Sequence, residues 1–537
     1  MRADRIFING DIITLDHETP ATSALAVTGD RFLAVGSNNE LLKLADDKSD
    51  IVDLSGKTVT PGFIETHAHL SLYALTLLQI DCSSPLNKSI ENVKNRIHAQ
   101  AKDLEPGQWI KGWGFDDTLI DEKRHLTRID LDECAPDNPV SIDHISGHLM
   151  VANSPALEMA RIGPGTPSPS GGEIYKDARG MPTGLLSEDA QTLVSGQMPP
   201  YDVAELKKAI TETIKYFHAC GITGTHDGSI GYYHEGAEVL QAYQTLKEEN
   251  RLNLRVYLTL MDDFYLEILQ SGLESKLNSN LLKLGSVKLF QDGSIQALTA
   301  ALTEPYYKYP GLTGEMIHPQ TGLDDLVDKH HRAGRQLAIH ANGDRAIESC
   351  LQALEKADQR YPGKDLRHMI IHCQLATREH IDRMKQVGVI PSYFINHIYY
   401  WGDRHLSTFL GPRRAETLSL LNTSLKAGLK FTLHSDLPVT PVAPLFAMHC
   451  AVNRTTKEGK ILGASERISP LAAIRAYTAH AAWCSFEENI KGTITTGKLA
   501  DFVVLSENPL KAVPGKIKNI RVLETVLGGK TVYTNNR

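Results

Sequence analysis

The segment Pro61-Gly-Phe-Ile-Glu-Thr-His67-Ala-His69 ends an apolar run with two histidines two residues apart. On an extended strand such residues face the same side, so His67 and His69 can bind one metal ion together. Lys288 sits inside Val-Lys-Leu-Phe-Gln-Asp-Gly-Ser. An unpaired lysine within a packed strand is costly. It therefore faces either a polar site or Asp292, which has the same parity along the strand. His340 closes Leu-Ala-Ile-His, His372 closes Met-Ile-Ile-His, and Asp436 closes Phe-Thr-Leu-His-Ser-Asp. Taken singly these are weak signals: H-x-H is common by chance, and a lone histidine after three apolar residues is better explained as a satisfied core side chain. Together they put His and His on strand one, Lys on four, His on five and six, and Asp on eight, a constellation that chance does not readily produce.

The elements that must position them are short apolar runs: Gly62–Thr66, Ile222–Thr225, Leu254–Leu260, Gly285–Phe290, Gln336–Ile339, His368–Ile371, Val387–Ser392 and Leu429–Leu433. Parallel strands buried on both faces read this way. Helical stripes separate them. Asp202 can N-cap a helix carrying Leu206, Ile210, Ile214 and Phe217, with Gly221 as its stop. Ala346, Ile347, Cys350, Leu351 and Leu354 trace another. Thr377 caps a third, with Ile381 and Met384, and Ser469-Pro470 opens a fourth. Eight strands in β-then-α order predict an α/β fold, a (β/α)₈ (TIM) barrel, with reactive groups at the C-terminal mouth. On pattern alone a doubly wound open sheet is the alternative.

The barrel is expected over residues 59–80 and 201–489. Residues 81–200 interrupt it after the first strand, too long for a structureless loop, and are expected to form an inserted subdomain capping the site. Short strands at Arg5–Ile8, Ser23–Val27 and Phe32–Val35, and at Asp501–Leu505 and Val522–Leu527, occupy the two chain ends. Neither end makes a good core alone, so residues 1–58 and 490–537 are expected to pair into one small β-sandwich domain.

Composition narrows the classes. The 537 residues are 42% hydrophobic and 22% charged, as in an ordinary globular protein, and the formal charge of -8 gives no basic footprint for nucleic acid and no polybasic membrane patch. No apolar stretch approaches the roughly 20 residues that span a bilayer. The N-terminus, MRADRIFING, lacks an apolar h-region. The seven cysteines are scattered, which argues against a disulfide framework. A cytoplasmic enzyme acting on a small molecule is expected, with a homodimer as the default assembly.

The motifs PGFIETHAH (61–69), VKLFQDGS (287–294), AIHANGDRA (338–346), MIIHCQ (369–374), LGPRRA (410–415), LHSDLPVTP (433–441) and TGKLADFVVL (496–505) run through nearly the whole chain. In these the sequence resembles the amidohydrolase superfamily, and within it the amidohydrolase-3 branch that includes N-substituted formamide deformylases. The resemblance implies His67, His69, Lys288, His340, His372 and Asp436 as the metal set. Two departures stand beside it: Glu65 where the family usually has Asp, and His434 where Gly usually precedes Ser-Asp.

The resemblance further implies that Lys288 is carboxylated by carbon dioxide and bridges two divalent ions. His67, His69 and Asp436 would hold one ion, His340 and His372 the other. Imidazole and carboxylate ligands suit zinc first. A metal-bound hydroxide would attack a non-peptide amide or formamide carbon–nitrogen bond, with Asp436 as the catalytic proton shuttle. Amide, formamide, cyclic amide and carbamate all suit such a centre. The alternative is a single-metal deaminase of a small cyclic or aromatic substrate, with Lys288 unmodified. Substrate contacts are expected from Trp113, Asp116 and His148 in the insertion, from Asp292, and from His397 after strand seven. For Trp113 a place in the insertion's own core fits equally well. The aromatic-rich run Tyr393–Trp401 suggests an apolar lining.

Overall fold

A computed structural model describes residues 2–232 and 235–535. Eight strands form one sheet in sequential order: β1 (Phe63–Ala68), β2 (Ile222–Ile230), β3 (Arg255–Met261), β4 (Leu282–Phe290), β5 (Leu337–Ala341), β6 (Met369–His372), β7 (Ile390–Phe394) and β8 (Thr432–His434). The registered pairs are parallel. The C-terminal ends of β1 and β8 meet through Asp436 N–H to the His67 carbonyl (3.2 Å) and His69 N–H to the Leu437 carbonyl (2.8 Å). The sheet is thus a nearly closed parallel barrel, and the open-sheet alternative falls away.

All eight expected strands exist, with shifted edges. β2 runs on to Ile230 because Thr225, His226, Asp227 and Ser229 are buried despite their polarity. An apolar-run criterion stops short of such residues. β7 begins later than expected, because Val387 still closes the preceding helix and Gly388 turns at φ +68°.

The helices form for the expected local reasons. Asp202 accepts from the Ala204 and Glu205 N–H groups at the start of Val203–Ala219, and Leu206, Ile210, Ile214 and Phe217 are all buried. Thr377 caps Arg378–Gln386, and Ser469 caps Pro470–Ala476.

Strands from both chain ends hydrogen-bond to one another. A six-stranded sheet has the order Lys530–Thr534, Val522–Leu527, Phe502–Leu505, Thr58–Pro61, Asp11–Ile13, Ala21–Thr22. A four-stranded sheet is built from the N-terminal part alone. Phe7, Phe32 and Phe502 share one buried cluster, with the Phe7 and Phe502 rings edge-on at 5.0 Å. Arg255 at the start of β3 forms a two-pronged, buried ion pair with Asp501, at 2.5 and 2.7 Å.

The contacts divide the chain into two compact units. The first holds the barrel and the terminal sheets: Met1–His69, Ile214–Ser229 and Leu246–Arg537. The second is Leu70–Thr213 with Ile230–Thr245. It contains its own six-stranded sheet, in which Ile110–Phe115 and Val140–His144 run parallel as neighbours. Helix Ile90–Ala101, capped by Ser89, buries Ile90, Val93 and Ile97 in one of this unit's own cores.

Candidate metal centre

Every member of the six-residue set sits at or just past a strand's C-terminal end. His67 and His69 come from β1, Lys288 from β4, His340 from β5, His372 from β6, and Asp436 follows β8. Asp436 Oδ1 lies 3.4 Å from His67 Nε2 and 3.3 Å from His69 Nε2. The ligand atoms of these three residues fall within 4.8 Å of one another. The His67 ring is 5.3 Å from that of His372, which is 4.5 Å from that of His340. The barrel therefore brings all five non-lysine members together at one mouth.

The polar atoms here are unspent. His67 Nε2, Lys288 Nζ and Asp436 Oδ1 are buried and complete no hydrogen bond. Buried polar groups almost always find partners, so three bare ones at one place mark a site shaped for something else. His69 Nδ1 lies 2.9 Å from the Gly228 carbonyl. A carbonyl only accepts, so Nδ1 carries the proton and Nε2 presents its lone pair toward Asp436. Gly228 has a second duty: a Cβ there would come within 2.8 Å of the His67 ring. Imidazole nitrogens and a carboxylate beside an amine whose charged form burial disfavours make a donor set that fits divalent metal.

Burial depresses His67 and His372 far below the ordinary histidine range, with Lys288 and neighbouring imidazoles adding to it. Both are neutral, as ligands must be. Burial pushes Lys288 down to about 7, only partly offset by Asp436. Burial works to raise Asp436, but His69, His434 and Lys288 outweigh it and hold the carboxyl below its usual range. Backbone strain gathers at the same place: His372, Cys373 and Asp436 all have positive φ, at 70°, 48° and 58°. Such residues cost on the order of 1–3 kcal/mol each and persist where the surroundings over-determine them.

The two departures from the family pattern are both structural supports. Glu65 is fully buried and accepts from Ser435 N–H (3.2 Å), Ser435 O–H (2.9 Å) and His67 N–H (3.4 Å), linking β1 to the turn that carries Asp436. Burial raises its carboxyl to about 8, the Ser435 donors opposing. His434 Nε2 lies 3.1 Å from His372 Nδ1, its Nδ1 lies 3.0 Å from Ser392 Oγ, and its ring stacks on Phe394 at 5.6 Å. His434 thus fixes the ring of His372 from behind. Removing such an outer partner costs about 10–100-fold in metal affinity. His434→Ala should show a loss of that size in a chelator competition, with the circular dichroism spectrum unchanged.

The expected substrate contacts fare differently. Asp292 is fully buried and makes no hydrogen bond to Lys288. It accepts from the N–H groups of Ala301, Asn342 and Gly343 at 3.0, 2.9 and 2.8 Å, and lies 3.3 Å from His340 Nδ1. It orients a histidine and ties loops down, which leaves its carboxylate no room for substrate. His397 is likewise fully buried, with one ring nitrogen 3.2 Å from His405 and the other 3.0 Å from Ser419 Oγ, so neither is free for a ligand. Tyr393 is core, its hydroxyl 2.9 Å from Ser424 Oγ, and does not line a cleft.

Trp113, Asp116 and His148 belong to the second unit. Trp113 is buried on Ile110–Phe115, Asp116 accepts from Thr118 N–H and O–H, and His148 Nδ1 lies 2.9 Å from Glu188. Gly228, Ser392 and Asn342 were not singled out by sequence. Only the Asp-Gly and Ala-Asn-Gly steps beside strand ends hinted at two of them.

Residues 50–533 match the amidohydrolase family. The protein YtcJ of Bacillus subtilis (strain 168) is 32% identical over 98% of this chain and 99% of its own. The N-substituted formamide deformylase of Arthrobacter pascens is 30% identical over 99% and 98%. Among solved structures, an uncharacterized metal-dependent hydrolase from Pyrococcus horikoshii OT3 superposes with a TM-score of 0.78 at 25% identity, covering 95% of this chain and 99% of that one.

Proposed function

From the premise that the chain belongs to the amidohydrolase family and is a metal-dependent hydrolase acting on carbon–nitrogen bonds, we infer that it cleaves a non-peptide amide or formamide, with Asp436 moving the proton. The observation that carries this reading is the convergence of His67, His69 and Asp436 on one point beside a buried, unpartnered Lys288. The formamide class is supported by the Arthrobacter relative, whose name states that reaction.

His67, His69 and Asp436 would hold one divalent ion, and His340 and His372 a second, with Lys288 carboxylated between them. Zinc suits these donors first. When bound, the ions supply the Lewis acidity that polarises a scissile carbonyl and acidifies water. The chain's own residues do the rest. His69 is held in one tautomer by Gly228, and His372 in one orientation by His434. Burial lowers Lys288 to about 7, so a large share of its amine is neutral near that pH, the form that adds to carbon dioxide. Asp436 turns Oδ1 toward the two β1 histidines and keeps Oδ2 to take a proton from the attacking water. It then returns that proton to the leaving nitrogen, so that the amine departs neutral.

One observation favours the single-ion deaminase instead. Among the described residues of the set, His67, His69 and Asp436 are the three carboxylate and imidazole groups whose ligand atoms all lie within 4.8 Å of one another. Counting metal decides between the two. Elemental analysis of protein purified without chelator, with bicarbonate present, is expected to find two ions per chain, and a screen of N-formyl and N-acyl amines should reveal turnover. One ion per chain, with Lys288→Ala still active, would establish the deaminase reading.

A further inference from the structure

The second compact unit contains a cavity of about 390 Å³, within the size range of small-molecule sites. None of the six metal-set residues lines it. Leu72, Leu75, Met150 and Met198 supply an apolar wall. The polar wall is unusual. Gln79, Asp143 and Ser195 all belong to the lining, and Gln79 Oε1, Asp143 Oδ1 and Ser195 Oγ are buried atoms without a hydrogen-bond partner. Ser195 as a whole is 8% exposed.

Neighbouring groups are committed elsewhere. Gln79 spends its amide nitrogen on the Tyr201 hydroxyl at 3.3 Å. Lys111, the one lysine or arginine among the described lining residues, sits over the Tyr201 ring, 4.0 Å from its centroid. Lys111 and Asp143 share no hydrogen bond and no ion pair. Asp143 and Glu238 add carboxyl groups to the lining, as does Glu235, which accepts from the Gly231 N–H at 2.9 Å.

The bare atoms define the missing partner. A carboxamide oxygen accepts only, a hydroxyl oxygen can accept, and the Asp143 carboxyl, which burial raises to about 7 against the pull of Lys111, accepts through both oxygens once ionised. What they lack is a donor. The excess of carboxyl groups favours a cationic one, and a primary ammonium group brings three N–H donors and no acceptor. We propose that this cavity binds a small primary ammonium ion with an apolar body, its N–H groups meeting Gln79, Asp143 and Ser195 and its body resting on Leu72, Leu75, Met150 and Met198. The proposal stands independently of the hydrolase reading, since binding needs neither metal nor turnover.

Calorimetric titration of the full-length protein with cyclohexylamine, cyclohexanol and cyclohexanecarboxylate tests it. The amine should bind at least about 10-fold tighter than the alcohol, a discrimination worth about 1.4 kcal/mol, and the carboxylate should not bind. Asp143→Asn should abolish the preference for amine over alcohol. Should that variant fold poorly by its thermal transition, Ser195→Ala is expected to weaken the amine selectively, and Met198→Trp to exclude both ligands by filling the space. Asp436→Asn should leave all three titrations unchanged, which separates this cavity from the metal centre. No heat at millimolar amine, equal binding of amine and alcohol, or amine binding lost in Asp436→Asn but kept in Asp143→Asn would each overturn the assignment. The first result would mean that the cavity holds water alone.

Discussion

Asp436→Asn is expected to lower kcat by at least about 10²-fold, the lower end of what general acid–base catalysis contributes, while the protein keeps most of its metal. The geometry makes this substitution unusually clean. Asp436 sits at φ 58°, in the left-handed region. Asparagine tolerates that region better than almost any residue but glycine. Its carboxamide oxygen can still face His67 Nε2 and His69 Nε2 in place of Oδ1. What it cannot do is take up a proton and give it back. His67, His69, His340, His372 and Lys288 stay in place to retain metal. Steady-state kinetics on an N-formyl or N-acyl amine, with elemental analysis of the same preparation, reads both halves of the expectation. A near-normal rate in a fully metallated variant would remove Asp436 from the proton path. His434 offers no fallback, because its two nitrogens face His372 and Ser392 and its ring is fully buried.

The gathering of the six candidate residues at strand ends was legible in the sequence because barrel geometry writes itself along the chain. Strands buried on both faces are short apolar runs, and a polar residue that ends one is conspicuous. His340 and His372 each follow three apolar residues, and β5 and β6 end within a residue of them. β2 was legible only in its first half, since its buried Thr225, His226 and Asp227 look like a loop when read for hydrophobicity. The support behind the ligands was not legible at all. Ser392, His434 and His372 lie on three different strands, and their contact depends on the register of β6, β7 and β8. No local spacing encodes that register. Asp292 shows the converse. Its parity with Lys288 was visible, but its three backbone donors come from loops whose path only the fold determines.

Lys288→Met should separate stability from function more sharply than any other change in the chain. The lysine is 1% exposed, its Nζ makes no hydrogen bond, and its nearest aromatic neighbour is Phe290, 4.7 Å from the ring centroid. A buried polar group without a partner costs about 1–3 kcal/mol. Methionine fills similar space without that cost, so metal-free Lys288→Met is expected to be more stable than the metal-free parent by about that amount. Paired denaturant titrations in chelator measure the difference. With metal the order reverses. Without an amine to carboxylate, nothing on β4 can bridge two ions, so metal content should fall from two ions per chain to one and turnover should drop with it. Stabilisation bound only to the native state grows with ligand concentration over its dissociation constant. The parent should therefore gain more from added metal and bicarbonate than the variant does. A variant that holds two ions and turns over normally would show that Lys288 is neither carboxylated nor a ligand. One that is less stable than the parent in chelator would mean that the buried amine is satisfied after all. A residue whose removal stabilises the empty protein is kept for what it binds, and stabilisation of the metal-free variant would give Lys288 that role.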